Sequence, residues 1–379
     1  MSSEIDDSRL LDIIDEQVLS SHSNVPLSLK DKVSLRTKLF NSLRGLDVLE
    51  EFIKDPYVTE IMVNGYETIF IEKNGHIEKP LVSFSSKEKL ANVIQQIVSF
   101  SNRRINEACP IVDTRLKDGS RVNIVLDPVA INGPIITIRK FSNSPLTIER
   151  LINLHSITKE AADFLQKLVV SGYNIFVSGG TSSGKTTFLN VLSNYIPKEE
   201  RVITIEDSAE LSLQGIENLV RLEMRQANIE GHGEITIRDL IHSSLRMRPD
   251  RIVIGEVRGP EAMDMLQAMD TGHNGCMSTG HANSAADMLN RLATMSLMAM
   301  DIPLNAIKSQ IASGLDIIIH LGRTKDRIRR VLEITEVATF NGQEIVLNSL
   351  YKYDLCHGLI PTENKLIHTE KLLSHGFIL

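Results

Sequence analysis

Residues 176–190, FVSGGTSSGKTTFLN, constrain this chain more than any other stretch. Gly179 to Thr186 fits the pattern G-x-x-x-x-G-K-[ST]. The apolar run Ile175, Phe176, Val177 before it reads as a strand, and TTFLNVLSNYI after it reads as a helix. Glycines there let the backbone turn tightly, so that successive N–H groups aim at phosphate oxygens. The helix that follows adds the positive end of its dipole. The expected cradle is Gly179, Gly180, Thr181, Ser182, Ser183, Gly184, Lys185, Thr186 and Thr187. Lys185 is expected to reach the outer phosphates, and the Thr186 hydroxyl to ligate Mg²⁺.

Two further strand ends carry acids. RPDRIVIGEVRG reads as an apolar strand closing on Glu256, beside the cradle in a parallel sheet and near the metal and attacking water. RVITIEDSAEL reads as another, closing on Glu206 and Asp207, with Glu210 three further on. Acids at the C-terminal ends of strands lie on the ligand edge of an α/β sheet. Thr186, Glu206 and Glu256 are therefore the candidate metal set, partly through water. The bland alternative is that some of these acids cap the next helix.

From about residue 148 short apolar strands alternate with longer helical segments: NIFVS, RVITI, RIVIG, CMSTG and DIIIHLG. That rhythm predicts βαβ units and a mostly parallel sheet. The tail after 331 reads as antiparallel strands, RVLEITEVATF and QEIVLNSLYKYD. Upstream, residues 1–20 and 28–54 have helical apolar spacing. Residues 57–143 read as an α+β domain, with TEIMVNG and ETIFIEKNG closed by Asn-Gly turns. The expected organisation is a helical segment over 1–50, an α+β domain over 51–143, a linker over 144–150 and an α/β domain over 151–379.

Composition excludes several classes. The chain of 379 residues is 42% hydrophobic and 23% charged, with a formal net charge of -7. A nucleic-acid translocator needs a basic face to displace counterions, so this balance weighs against one. Cys109, Cys276 and Cys356 are far apart and form no CxxC pair, which suits thiols in a reducing compartment. The start, MSSEIDDSRLLDIIDEQ, does not read as a secretory signal. No stretch approaches the ~20 apolar residues of a membrane span. The expectation is a cytoplasmic protein that does not cross the bilayer.

The segment MRPDRIVIGEVRGPEAMDMLQAMDTGHNGCMSTGHANSAADMLNRLATM, with DGSRVNIVLDPVAINGPIITIRKF upstream, resembles the type II/IV secretion ATPase superfamily. The resemblance is nearest to the CpaF-like branch that assembles tight-adherence (Flp) pili. It implies a RecA-like P-loop ATPase domain, preceded by an α+β domain and helices. It implies ATP and Mg²⁺ as ligands, a homo-hexamer, and an inner-membrane platform protein as partner. Carried over, Gly179–Thr186 is the phosphate loop, TIEDSAEL the acidic box with Glu206, and Glu256 the second acidic motif. STGHANS is the histidine box, with His281 near the γ-phosphate. Arg121 and Arg139 resemble arginines that the preceding domain brings to the nucleotide. Arg221 and Arg225 fall in the arginine-rich stretch after the acidic box and are expected to bind the nucleotide. An arginine on developing phosphate charge is worth roughly 10³–10⁵ in rate.

Two departures from the family pattern stand out. The loop reads GGTSSGKTT rather than GGTGSGKTT, so Ser183 is expected to take a glycine-like backbone shape. Gly280 precedes His281, which is expected to make that strand end pliable. Three other readings compete: a nucleic-acid translocator of a DNA-transfer system, a low-turnover nucleotide-dependent scaffold, and a small-molecule kinase. MSLMAMDIP is expected to fill core gaps, and RTKDRIRR to form a solvated turn rather than a nucleic-acid patch.

Overall fold

A computed structural model describes residues 6–20, 28–100, 104–140, 146–227 and 231–378. The chain falls into two compact units, Met1–Ser144 and Pro145–Leu379.

The first unit opens with α1 (Asp7–Ser20), α2 (Leu29–Arg44) and α3 (Leu49–Lys54). A capping box starts α2: the Ser28 hydroxyl accepts from the Asp31 N–H, and Asp31 answers to the Ser28 N–H. Arg36 pairs with Asp15 across α1 and α2 at 2.6 Å. The strands are β1 (Val58–Asn64), β2 (Thr68–Lys73), β3 (His76–Glu78), β4 (Ile111–Arg115), β5 (Arg121–Val125) and β6 (Ile135–Arg139), with α4 (Lys87–Ser99) between β3 and β4. They form one antiparallel sheet in the order β3-β2-β1-β6-β5-β4. Asn74 and Gly75 turn β2 into β3, both with positive φ (52° and 80°), the conformation a two-residue hairpin prefers. Inward residues of β1 and β2 (Ile61, Val63, Ile69) pack against Leu90, Ile94 and Ile97 of α4. Leu46 and Leu49 enter the same core, so a boundary at 50 cuts through it.

The second unit holds α5 (Ile148–Asn153), α6 (Lys159–Val170), β7 (Ile175–Gly179), α7 (Lys185–Ser193), β8 (Val202–Glu206), β9 (Leu219–Glu223), α8 (Ile237–Ser244), β10 (Arg251–Ile254), α9 (Glu261–Asp270), β11 (Met277–His281), α10 (Ala285–Ala299) and α11 (Leu304–Gly314). It closes with β12 (Ile317–Arg323), β13 (Arg329–Phe340), β14 (Ile345–Asp354), β15 (Gly358–Pro361) and α12 (Glu370–Ser374). The expected linker lies partly outside the described residues. Its last positions, 148–150, are the first turn of α5, capped by the Thr147 hydroxyl.

Nine strands make the second sheet, ordered β15-β14-β13-β12-β7-β11-β10-β8-β9. Pairing is parallel from β12 to β9 and antiparallel from β12 to β15. β7 is buried at every position, flanked by β11 and β12. Helices cover both faces, which is why its strands read as continuous apolar runs. Leu165, Leu189, Val177 and Ile319 form one core. Phe176, Ile254, Met265, Leu292 and Ile318 form the other. The edge strand β9 was not expected from sequence: NLVRLEM is short and charge-bearing, and its pairing to β8 is supplied by the sheet. Met295 fills a core gap as expected, whereas Met298 (67% exposed) and Met300 (43%) do not. Among the described residues no helix is long and apolar enough to cross a membrane.

His320 on β12 is buried, its Nδ1 2.9 Å from the Ser178 hydroxyl on β7. Burial holds its pKa below the ordinary imidazole value, against an opposing pull from Glu333 and Asp287. The unfolded chain therefore binds the extra proton more readily as pH falls through about 6.5. This contribution to stability is present above that pH and lost below it. Thermal unfolding between about pH 7.5 and 5.5 should shift less in His320→Gln than in the parent. Equal shifts would show that His320 is not the titrating group.

Candidate nucleotide site

The cradle begins where β7 ends. A Cβ on Gly179 would lie 2.5 Å from the Leu321 carbonyl oxygen and 2.6 Å from Ser183 Oγ, so only glycine fits. Gly184 has φ +95° and opens α7, whose first residue is Lys185. The helix thus points its N-terminal N–H groups into the loop. Gly180, Thr181, Ser182 and Thr187 are exposed and Thr186 half-buried, which leaves the mouth of the loop open. The glycine-like shape falls on Ser182, with φ +56°, and not on Ser183 as expected from the sequence. Position by position, the serine that replaces the family's glycine is Ser182. Ser183 is buried under the loop, its N–H donating to the Gly180 carbonyl at 3.3 Å. Arg329 Nε donates to the Ser182 carbonyl at 3.0 Å and holds the strained residue from outside. RTKDRIRR is therefore a turn, as expected, but one that folds onto the cradle.

The segments that follow or end three adjacent strands bring the candidate groups to this edge. Lys185, 7% exposed, donates from Nζ to the Gly180 carbonyl at 3.0 Å and lies 3.3 Å from His281 Nδ1. His281 ends β11, opposite Gly179 in register. Its Nε2 lies 2.9 Å from Glu256 Oε1, close enough for an ion pair but not aligned as a hydrogen bond, so Oε1 has no donor. Glu256 follows β10, held there by Gly255 N–H to Ile205 O (2.8 Å) and Val257 N–H to Thr279 O (2.9 Å). Burial lowers the Lys185 pKa, with Glu256 opposing. Burial and then Lys185 lower that of His281. The imidazole is thus held neutral beside the ammonium. Gly280 does not loosen the strand: a Cβ there would meet the Phe176 ring at 2.9 Å and Met288 at 3.1 Å, so the strand end is tight.

Glu206 is 2% exposed at the end of β8. Its Oε2 accepts the Glu210 and Leu211 N–H groups at 2.6 and 2.7 Å, so the carboxylate shapes the loop after the strand. Oε1 is buried without a partner among the described residues. Burial is the leading cause of a raised pKa, opposed by those two N–H groups. Glu210 takes part through its backbone.

The expected arginines are not all at this edge. β9 lies four strands from β7, roughly 19 Å away at sheet spacing. Arg221 donates there to the Leu211 carbonyl at 3.0 Å and Arg225 to the Gly233 carbonyl at 2.7 Å. Within one chain neither meets the cradle. Arg121 and Arg139 belong to the first unit, directly opposite each other on β5 and β6. Sequence reasoning missed Arg258 and Arg329. Arg258 stands two residues past Glu256, on the same side of an extended chain, and that spacing was readable. Arg329 is 147 residues from Ser182, and no local pattern reports it.

The donors fit a hard divalent cation: the Thr186 hydroxyl and two carboxylates that each keep a buried, unpartnered Oε1. No cluster of three or more His, Cys, Asp or Glu suits a metal among the described residues. A cavity of about 530 Å³ extends from Gly180 and Thr181 past His281 to Asp287, Asn290 and Arg291 of α10. Replacing the left-handed serine by glycine relieves strain of about 1 kcal/mol. Ser182→Gly should therefore raise the unfolding free energy by about 0.5–1 kcal/mol in chemical denaturation. A variant less stable than the parent would contradict the strain assigned to this residue.

The family described as type II/IV secretion system protein matches residues 42–354. The type IV secretion system protein VirB11 of Brucella suis is 32% identical over 303 residues, covering 73% of this chain and 84% of its own. A putative conjugal transfer protein of Mycobacterium tuberculosis is 31% identical over 311 residues, covering 80% and 88%. Among solved structures, the Legionella pneumophila ATPase DotB gives a TM-score of 0.54 at 21% identity, covering 76% of this chain and 79% of its own. The pilus retraction motor PilT with bound ADP gives 0.51 at 17% identity, covering 87% and 86%. These two likenesses bear on the fold, which is the RecA-like α/β arrangement expected. With that match over most of its 379 residues, the chain belongs to the type II/IV secretion system protein family.

Proposed function

We propose that this protein is a Mg²⁺-dependent ATPase that works as a subunit of a secretion or pilus-assembly motor. One observation carries the proposal. Lys185 at the start of α7, His281 at the end of β11 and Glu256 after β10 converge at the phosphate loop, Lys185 3.3 Å from His281 and His281 2.9 Å from Glu256. Lys185 and the loop N–H groups would grip the phosphates, and Thr186 with the acids would hold Mg²⁺. The metal, when bound, neutralises charge on the phosphate oxygens. Glu256 Oε1, buried and undonated, is the acceptor best placed to orient an attacking water. Neutral His281 connects that acceptor to Lys185, so a change at the phosphate would be felt at the end of β11.

The motor reading adds the first unit. Arg121 and Arg139 would close on the phosphates and release them after hydrolysis, so that γ-phosphate favours one arrangement of the two units. Family membership supports a homo-hexamer, in which Arg221 and Arg225 on the sheet edge would face a neighbouring copy. It also supports a cytoplasmic protein docked on an inner-membrane platform, in a CpaF-like pilus system. DNA-transfer relatives keep nucleic-acid transport as the alternative; the net charge of -7 weighs against it.

Purified protein should hydrolyse Mg-ATP. Lys185→Ala should lose nucleotide affinity, whereas Glu256→Gln should keep it and slow turnover by about 10²-fold or more. Turnover unaffected by either change would sink the assignment. Arg121→Ala and Arg139→Ala should each reduce turnover, by up to roughly 10³–10⁵-fold for a direct contact with developing phosphate charge. Rates equal to the parent in both would refute closure by the first unit.

A further inference from the structure

We infer that Arg258 is a positioning residue that ties the Glu256 carboxylate to the acidic loop after β8, so that the two move together. The inference rests on the ATPase reading above. Arg258 Nη2 lies 2.6 Å from Glu256 Oε2, while Nη1 lies 3.6 Å from Asp207. The fork therefore spans carboxylates on two different strand ends, β10 and β8. By taking Oε2, it fixes which oxygen of Glu256 remains: Oε1, on the side of His281 and Lys185.

Arg258 is itself pinned at its backbone. Its N–H and that of Gly259 both donate to Glu261 Oε1, at 2.7 and 2.9 Å. Its side chain is nevertheless 62% exposed, against 15% for Glu256 and 30% for Asp207. The backbone at Arg258 is thus held by Glu261 while the fork reaches across to both carboxylates at the surface. On the far side, Asp207 follows Glu206, whose carboxylate organises the loop through Glu210 and Leu211. One guanidinium thus joins the water-orienting acid to the loop that the buried Glu206 shapes. A lysine would reach either acid but not both, because it lacks the planar fork.

The test uses the full chain. Single-turnover hydrolysis of Mg-ATP and the Kd for a fluorescent ATP analogue are measured for the parent, Arg258→Ala, Arg258→Lys, Asp207→Asn and the Arg258→Ala/Asp207→Asn double variant. Misplacing a reacting group by about an ångström costs about 10²-fold. Arg258→Ala should slow hydrolysis by about 10- to 100-fold with Kd within about threefold. Arg258→Lys should recover part of the rate, and Asp207→Asn should add little once Arg258 is gone. Without nucleotide, the Glu210 and Leu211 amides should exchange hydrogen faster in Arg258→Ala. A rate within about twofold of the parent overturns the inference. So does a parallel loss of rate and affinity, which would mean that Arg258 grips the nucleotide directly. A parent chain with no hydrolysis would instead remove the ATPase reading, and the exchange measurement would still decide the coupling. Were Arg258→Ala not to fold, the lysine and Asp207→Asn variants carry the same test.

Discussion

A lysine ammonium buried beside a neutral imidazole, with a carboxylate on the far side of the ring, is the contact on which this structure turns. Lys185 opens α7 after the loop that follows β7, His281 ends β11 and Glu256 follows β10, and those three strands are neighbours in the sheet. Burying an ammonium is costly unless its protons find acceptors. Here it has the Gly180 carbonyl and His281 Nδ1, with Glu256 opposing the fall in its pKa. The site is thus a positive centre short of strong acceptors. On the proposed function, phosphate oxygens would supply what it lacks, entering by the open loop mouth.

The sheet makes that contact possible. β7 pairs in parallel with β11 and β12, which follow it by roughly a hundred residues and more. Only a doubly covered sheet brings such distant residues to one edge in register, and the apolar runs of its strands follow from that cover. Close packing sets the remaining details. Gly179 admits no Cβ against Leu321, and Gly280 none against Phe176. Glu206 accepts the loop amides of Glu210 and Leu211, and Arg258 lies between Glu256 and Asp207 on the same side.

Much of this was legible in the residues. The phosphate loop, the strands closing on Glu206 and Glu256, and the antiparallel tail follow from local pattern, because each signal is confined to a dozen residues. Other features were not, for physical reasons. Ser182 takes the left-handed conformation, and Ser183 does not, because of where the turn falls. Arg329 reaches Ser182 across 147 residues. β9 is a strand because β8 offers it an edge. Arg221 and Arg225 read as nucleotide ligands in one dimension, yet strand order sets them at the sheet's border. Glu206, read as a reacting group, also carries the bonds of a loop-forming one.

The claim at the centre is that Lys185 and Glu256 change partners when nucleotide enters. A structure with a non-hydrolysable ATP analogue and Mg²⁺ tests it most directly. Lys185 Nζ should have left the Gly180 carbonyl and His281 for phosphate oxygens, with Glu256 Oε1 facing the terminal phosphate. A nucleotide-bound structure in which Lys185 keeps both present contacts would contradict the account.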